Sequence, residues 1–173
     1  MSMSKIMIVD SDITVLMDLE EHFKQSHHHL VGIVETEEEA LFVAKETRPD
    51  IILMEIDLPG KLDGIDIAEN IKKQVDVDIV FMTVCSDFDV ISRAKQVSPL
   101  AYVLKPFDVT EISAAVEIAL HNQTINRKLE RRIAEQEVEL ISLKGEGDEY
   151  PMIERIDVPV SNGARLSAIG LTK

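Results

Sequence analysis

The segment 50-DIILMEIDLPGKLDG-64 decides how the rest of the chain is organised. Its first half is a short apolar run that predicts a buried strand, and a loop punctuated by proline and glycine follows. Glu55 stands at the carboxyl end of the predicted strand. In an open parallel sheet, ligands bind in the crevice outside that end of the strands. Glu55 therefore marks the position around which we look for chemistry.

Strand and helix patterns alternate along the chain on both sides of this segment. Apolar runs predict five strands, at 5–10, 30–35, 51–55, 78–83 and 101–104. Periodic apolar positions and capping residues predict helices at 13–25, 36–48, 65–74 and 88–97, and a fifth that begins near Asp108 or Thr110. This alternation predicts an α/β fold, a five-stranded parallel doubly wound sheet with right-handed crossovers and helices on both faces.

Composition narrows the classes of function. The 173 residues include 18 Lys and Arg against 32 Asp and Glu, a net charge of −14. Because phosphate binding needs a basic face, we expect no nucleic-acid partner. No apolar run approaches the ~20 residues that span a bilayer, so we expect no membrane segment. A single cysteine, Cys85, and no signal-peptide pattern at the N-terminus favour a cytoplasmic location.

The fifth helix is predicted to be much longer than the domain needs, because no Pro or Gly occurs from Ile112 to Leu143. Heptad spacing assigns two series of core positions to it: Ile112, Ala119, Asn126, Ile133 and Leu140, and Ala115, Asn122, Leu129, Gln136 and Leu143. Asn at such positions sets register in coiled coils. The pattern predicts a homodimeric coiled coil, with a long solvated helix as the alternative.

The chain beyond this helix is short. Gly145 and Gly147 end the helical pattern, and alternating apolar residues around an Asn162-Gly163 turn signal predict a small hairpin. We therefore divide the chain into a domain at 1–122, a helical extension at 123–144 and a tail at 145–173. No second helical domain with a basic recognition helix is evident, so the output is expected to act through protein–protein contacts.

Polar residues stand at the carboxyl ends of four of the five predicted strands. They are Asp10, Ser11 and Asp12 at the end of the first strand, Glu55 at the end of the third, Thr83 at the end of the fourth and Lys105 at the end of the fifth. A doubly wound sheet brings these ends together. Acids that can hold a metal ion, beside a hydroxyl and an ammonium that can neutralise phosphoryl oxygens, are the groups that phosphoryl transfer to a carboxylate requires.

With these motifs in place, the chain from about Lys5 to Asn122 resembles a response-regulator receiver domain of two-component systems, a flavodoxin-like fold. The resemblance lies in IMIVDSD, PDIILMEIDLPGKLDG, VFMT and AYVLKPF, in that order and spacing. It implies that two acids hold Mg²⁺ and that the carboxylate of the third strand accepts phosphate from a sensor histidine kinase. It also implies that Thr83 and Lys105 bind the phosphoryl group, that Tyr102 rotates as a readout, and that the Lys105-Pro106 peptide is cis.

Two positions depart from the family pattern. The acceptor is Asp in the family and Glu55 here, and the second acid, the principal metal ligand, falls on Ser11. Glutamate is one methylene longer, so its oxygens reach about where a phosphoryl oxygen would lie and can contact Lys105 or Thr83. Ser11 removes a negative charge from the metal site, which leaves Asp10 and Glu55 as weak candidates for Mg²⁺. We interpret the chain as an atypical receiver that is held by a Glu55–Lys105 contact and is not switched by normal aspartyl phosphorylation.

Other interpretations remain open. The chain could be an ordinary receiver with an engineered or tolerated Asp-to-Glu change, which explains Glu55 and not Ser11. It could be a pure scaffold with an inert pocket. The motif Asp10-Ser11-Asp12 also resembles the nucleophile motif of haloacid-dehalogenase-type phosphatases, with Asp10 attacking phosphate and Asp12 as acid and base. That family needs a further acidic pair after the lysine, where this chain has only 108-DVTE-111, so we expect no enzyme.

Two further features have structural interpretations. The run 27-HHH-29 predicts a polar turn, and we do not expect neighbouring histidines to converge on one metal ion. Cys85 follows the fourth strand and is interpreted as a small packing residue rather than a redox centre.

Overall fold

The computed structural model describes residues 3–144, 157–159 and 165–167. Five strands form one parallel sheet in the order β2-β1-β3-β4-β5: β1 (Lys5–Val9), β2 (His29–Val34), β3 (Ile51–Glu55), β4 (Asp78–Thr83) and β5 (Ala101–Leu104). This is the flavodoxin-like strand order. The predicted fold class is therefore confirmed, and the predicted bounds of β3, β4 and β5 coincide with those in the structure.

Helices follow the strands along the chain. They are α1 (Ile13–Gln25), α2 (Glu37–Thr47), α3 (Gly64–Lys72), α4 (Phe88–Ala94), which continues as a 3-10 turn (Lys95–Val97), and α5 (Val109–Lys144). Side-chain caps start the first four, from Asp12, Thr36, Asp63 and Asp87. Each cap accepts a backbone N–H that has no partner inside the helix, which is why the chain turns helical at these residues.

The sheet is buried on both faces. Ile52 and Met54 of β3 pack into one hydrophobic cluster, whereas Ile51 and Leu53 pack into a second cluster on the opposite face. Successive side chains of a strand point to opposite faces, so a strand covered on both sides must be apolar throughout. This explains why residues 51–54 carry no polar side chain before Glu55.

The chain divides into two compact units, Met1–Asn122 and Gln123–Lys173, and α5 contributes to both. The first part of α5 corrects the heptad assignment. Ile112 and Ala119 are fully buried in the domain's own hydrophobic cluster, so neither is available for a seam with another helix. Further along α5, several large apolar side chains are exposed: Ile125, Leu129, Ile133, Val138, Leu140 and Ile141.

Two short strands belong to the second unit. Strand β6 (Asp157–Pro159) pairs antiparallel with β7 (Arg165–Ser167), and Val158 lies opposite Leu166. This pairing agrees with the predicted hairpin, although the Asn162-Gly163 turn and the glycines at 145 and 147 lie outside the described residues. Among the helices described, none has both the length and the apolar character that crossing a membrane demands.

The predicted polar turn at 27-HHH-29 is one residue too long, because its last histidine belongs to β2. His27 and His28 precede β2, but His29 is already its first residue, and its N–H donates to the Ser4 carbonyl at 2.8 Å. The strand begins there because its pairing with β1 starts at Lys5.

Candidate functional site

Four of the predicted site residues meet at the carboxyl edge of the sheet. Asp10 follows β1, Glu55 ends β3, Thr83 ends β4 and Lys105 follows β5. The strand register brings these positions to one level, because Glu55 pairs with Met82 and Thr83 pairs with Leu104. Asp10, Glu55 and Thr83 are all buried. We call Asp10, Glu55 and Lys105 the acid pocket below.

The ammonium of Lys105 contacts both carboxylates of this pocket. Its Nζ lies 2.6 Å from Asp10 Oδ2 and 2.5 Å from Glu55 Oε2, and its side chain is only 11% exposed. The predicted Glu55–Lys105 contact is thus present, and Asp10 shares it. Burial by itself lowers the pKa of Lys105, but the hydrogen bonds and charges of Asp10 and Glu55 outweigh it and raise the pKa.

The second oxygen of Glu55 is held by the backbone. Oε1 accepts the N–H of Ile56 at 2.6 Å and the N–H of Asp57 at 2.9 Å. Both carboxylate oxygens are therefore hydrogen-bonded, one to an ammonium and one to two amides. The backbone donors could not be seen in the sequence, because they arise from the way the chain turns after β3.

A close backbone approach lies behind Glu55. A Cβ on Gly64, the first residue of α3, would lie 1.9 Å from the carbonyl oxygen of Glu55. The Gly64 N–H also donates to the Ile56 carbonyl at 2.8 Å. Only glycine permits this contact. Gly64 was not predicted to belong to the site, although it is the last residue of the segment that contains Glu55.

Ser11 and Asp12 do not join the acid pocket, which corrects the prediction of a three-residue acidic cluster. Both are exposed. The Asp12 carboxylate caps α1 by accepting the Thr14 N–H at 2.9 Å, and the Asp12 N–H donates to Asp10 Oδ1 at 2.9 Å. The helix start therefore turns the Asp12 side chain toward its own backbone, and Asp10 alone of the three enters the pocket.

The residues present do not fit the Mg²⁺ that the resemblance implies. A hard dication selects anionic oxygens that are free to coordinate it. Here Asp10 and Glu55 both pair with the Lys105 ammonium, and the remaining oxygens of both accept backbone N–H groups. Position 11 supplies a neutral hydroxyl instead of a third charge.

Thr83 and Tyr102 converge on the loop that follows β4. Thr83 Oγ1 accepts the Cys85 N–H at 3.2 Å, and the Tyr102 hydroxyl donates to the Cys85 carbonyl at 2.7 Å. The Tyr102 ring lies edge-on to Phe81, with 6.4 Å between ring centroids. Burial raises the pKa of Tyr102, and Cys85, Asp57 and Glu55 add to the shift. Cys85 is half-buried and contributes its backbone N–H and carbonyl to these hydrogen bonds.

The cis Lys105-Pro106 peptide is present, as the resemblance implies.

The ion pairs of Arg93 were not predicted from the sequence. Arg93 on α4 contacts Asp63 Oδ2 at 2.7 Å and Asp66 Oδ1 at 3.1 Å, which joins α4 to the start of α3 beside the pocket.

Known proteins resemble this chain in sequence and fold. Residues 6–117 match the response-regulator receiver domain, which covers more than half of the chain, and the chain therefore belongs to the response-regulator receiver family. The transcriptional regulatory protein PdtaR of Mycobacterium tuberculosis is 28% identical over 166 residues, covering 87% of this chain and 80% of its own. Sporulation initiation phosphotransferase F of Bacillus subtilis is 32% identical over 114 residues, covering 65% and 90%.

A solved structure has the same fold. The signal receiver domain of a modulated diguanylate cyclase from Desulfovibrio desulfuricans superimposes with a TM-score of 0.67 at 28% identity. The match covers 72% of this chain and 99% of that domain. The chain is thus a receiver domain of two-component signalling with an extended final helix.

Proposed function

We propose that this chain is an atypical receiver in which Glu55 and Lys105 hold the pocket in a state resembling the phosphorylated one. The observation that carries the proposal is the Lys105 ammonium between Asp10 Oδ2 and Glu55 Oε2. The Glu55 carboxylate lies one methylene further from the backbone than an aspartate carboxylate would. It therefore reaches Lys105 itself, without a phosphoryl group between the two side chains. A buried ion pair with hydrogen bonds on its remaining oxygens is expected to persist rather than to open for a phosphodonor.

The same contacts disfavour Mg²⁺ binding and argue against phosphorylation as the switch. Displacing Lys105 from two carboxylates would cost the free energy of two charge-assisted hydrogen bonds. The missing charge at Ser11 leaves little to offset that cost. Tyr102, tied to the Cys85 carbonyl, is the residue through which the pocket would influence the surface formed by α4, β5 and α5.

Intact mass spectrometry tests the phosphorylation part of the proposal. The full chain is incubated with a small acyl phosphate donor and Mg²⁺, beside the variants Glu55→Asp and Ser11→Asp/Glu55→Asp. We expect no added phosphoryl mass on the wild-type chain and one phosphoryl group on the double variant, because the double change restores both the acceptor and the metal ligand.

A labile phosphoryl group on the wild-type chain would contradict the proposal. That result would favour the alternative of an ordinary receiver with a tolerated Asp-to-Glu change. Unchanged oligomeric state and partner binding in Glu55→Gln, with no phosphorylation, would instead favour a scaffold with an inert pocket.

For the output we propose protein–protein contacts, with a sensor histidine kinase or another signalling protein as partner and a homodimer formed through α5 and its extension. Supporting this are the exposed apolar residues along α5, which include Leu129 and Ile133, at 50% and 55% exposure. Paired helices would bury such side chains. The net charge of −14 disfavours nucleic acid as the target, and a cytoplasmic setting suits a reduced Cys85.

Light scattering of the full chain tests the homodimer. Ile133→Glu should shift the mass from dimer to monomer, because a charge at the seam between helices is destabilising. Lys128→Glu introduces the same side chain at an exposed position away from the predicted seam and should leave the dimer intact. A monomeric wild-type chain at micromolar concentration would refute the coiled coil.

We propose no enzymatic activity. In the phosphatase alternative Asp12 acts as acid and base, but its carboxylate caps α1. Hydrolysis of a chromogenic phosphate ester that is lost in Asp10→Asn would contradict this.

A further inference from the structure

A second cluster of ligand-type side chains lies at the amino edge of the sheet, away from the acid pocket. His27 and His28 lie in the turn between α1 and β2, and Glu117 lies on α5. His27 Nε2 is 3.2 Å from Glu117 Oε1, and His28 Nε2 is 3.1 Å from the same oxygen. One carboxylate oxygen therefore faces two imidazole nitrogens.

The spacing of these three atoms is compatible with a shared metal ion. All of them lie within 4.8 Å of one another. Two ligand atoms bound at 2.0–2.1 Å to one tetrahedral Zn²⁺ lie about 3.4 Å apart, close to the two nitrogen–oxygen distances here. The sequence argued against this arrangement because adjacent side chains usually diverge. The irregular turn before β2 instead brings the His27 and His28 rings side by side, with 4.1 Å between centroids and 40° between ring planes.

The environment of His28 favours ligation through Nε2. Its side chain is only 6% exposed, and its Nδ1 is buried without a partner among the described residues, so the polar contacts of this ring lie at its Nε2 end.

We propose that His27, His28 and Glu117 bind a divalent transition-metal ion of the zinc class. Two imidazoles and one carboxylate suit Zn²⁺ rather than Mg²⁺, which prefers oxygen ligands. Three protein ligands leave a fourth position for water or for another ligand. The ion would link the turn before β2 to α5, the helix that continues into the second unit.

Zinc titration of the full chain tests the proposal. A chromogenic chelator competes for Zn²⁺ at neutral pH with a reducing agent and excess Mg²⁺, so that oxygen-rich sites are saturated. We expect one Zn²⁺ per chain. His27→Ala and Glu117→Gln should each weaken binding at least tenfold, and both positions are exposed enough to leave the fold intact, which circular dichroism checks.

His29→Ala provides the matched control, because His29 is an exposed histidine next to the cluster and is not part of it. It should bind Zn²⁺ as the wild-type chain does. The proposal is overturned if the wild-type chain binds no Zn²⁺ in the micromolar range, or if His29→Ala weakens binding as much as His27→Ala. In nitrogen NMR spectra, Zn²⁺ should shift the Nε2 resonances of His27 and His28, and unshifted resonances would also refute it.

Discussion

The acid pocket and the His27–His28–Glu117 cluster lie at opposite edges of one sheet and balance charge in different ways. In the acid pocket, the Lys105 ammonium lies between two carboxylates and is nearly excluded from water. In the histidine cluster, a half-exposed carboxylate faces two rings that are charged only when protonated. The first arrangement supplies its own cation, whereas the second leaves room for one from solution. The acid pocket is thus neutralised internally by a buried lysine, whereas the histidine cluster is partly exposed and has no permanent cation of its own.

The largest effect is expected from removing the cation of the acid pocket. Lys105→Met leaves Asp10 and Glu55 buried without their partner, and breaking a buried pair in this way costs about 3–5 kcal/mol of unfolding free energy. Urea unfolding measures the loss. Lys105→Met/Glu55→Gln should recover part of it, because one uncompensated charge is removed. A loss below about 1 kcal/mol in the single variant would show that the pocket admits enough water to solvate both acids.

A smaller effect is expected from adding a methyl group at Gly64, where the backbones of α3 and Glu55 approach closely. Gly64→Ala places a methyl group against the Glu55 backbone carbonyl and should destabilise the fold by about 1–3 kcal/mol, the range for overpacking. Gly32→Ala on β2 is the comparison. There the new Cβ meets the Val43 Cγ1 methyl at 2.6 Å, a side-chain atom that can move more easily than backbone, so the loss of stability should be smaller. Equal losses would mean that α3 shifts to accommodate the methyl group.

The smallest effect is expected from acidifying the histidine cluster. The pKa of His28 is lowered from 6.5, chiefly by burial, so the folded state favours the neutral ring. This contribution to stability is complete above 6.5 and is lost as pH falls through the lower folded value. In the metal-free chain, the free energy of unfolding should therefore decline as pH falls below 6.5, and the decline should be shallower in His28→Gln. His22, His27 and Glu117 face the same ring, so His29→Gln is the control and should follow the wild-type chain.

The candidate site was predictable to the extent that it depends on strand ends. Asp10, Glu55, Thr83 and Lys105 each follow an apolar run, and any parallel sheet brings such positions to one edge. Ser11 and Asp12 follow the same run but do not enter the pocket, because the start of α1 uses the Asp12 carboxylate as a cap. The sequence does not show whether the Asp12 carboxylate caps the helix or enters the pocket, because the local backbone geometry decides between the two.

Helix α5 shows the same division. Its length follows from the absence of Pro and Gly, and the helix described in the structure runs from Val109 to Lys144. The role of its apolar positions does not follow, because heptad spacing cannot distinguish Ile112, which is buried in the domain, from Ile133, which is exposed.

Period, capping and residue type are local properties, and they were enough to predict the alternation of strands and helices, the polar strand ends and the two departures at Ser11 and Glu55. Only the folded chain shows that one ammonium contacts two carboxylates and that Glu117 lies beside His27 and His28. Residues about 90 positions apart meet only when α5 packs beside α1, and no local pattern records that contact.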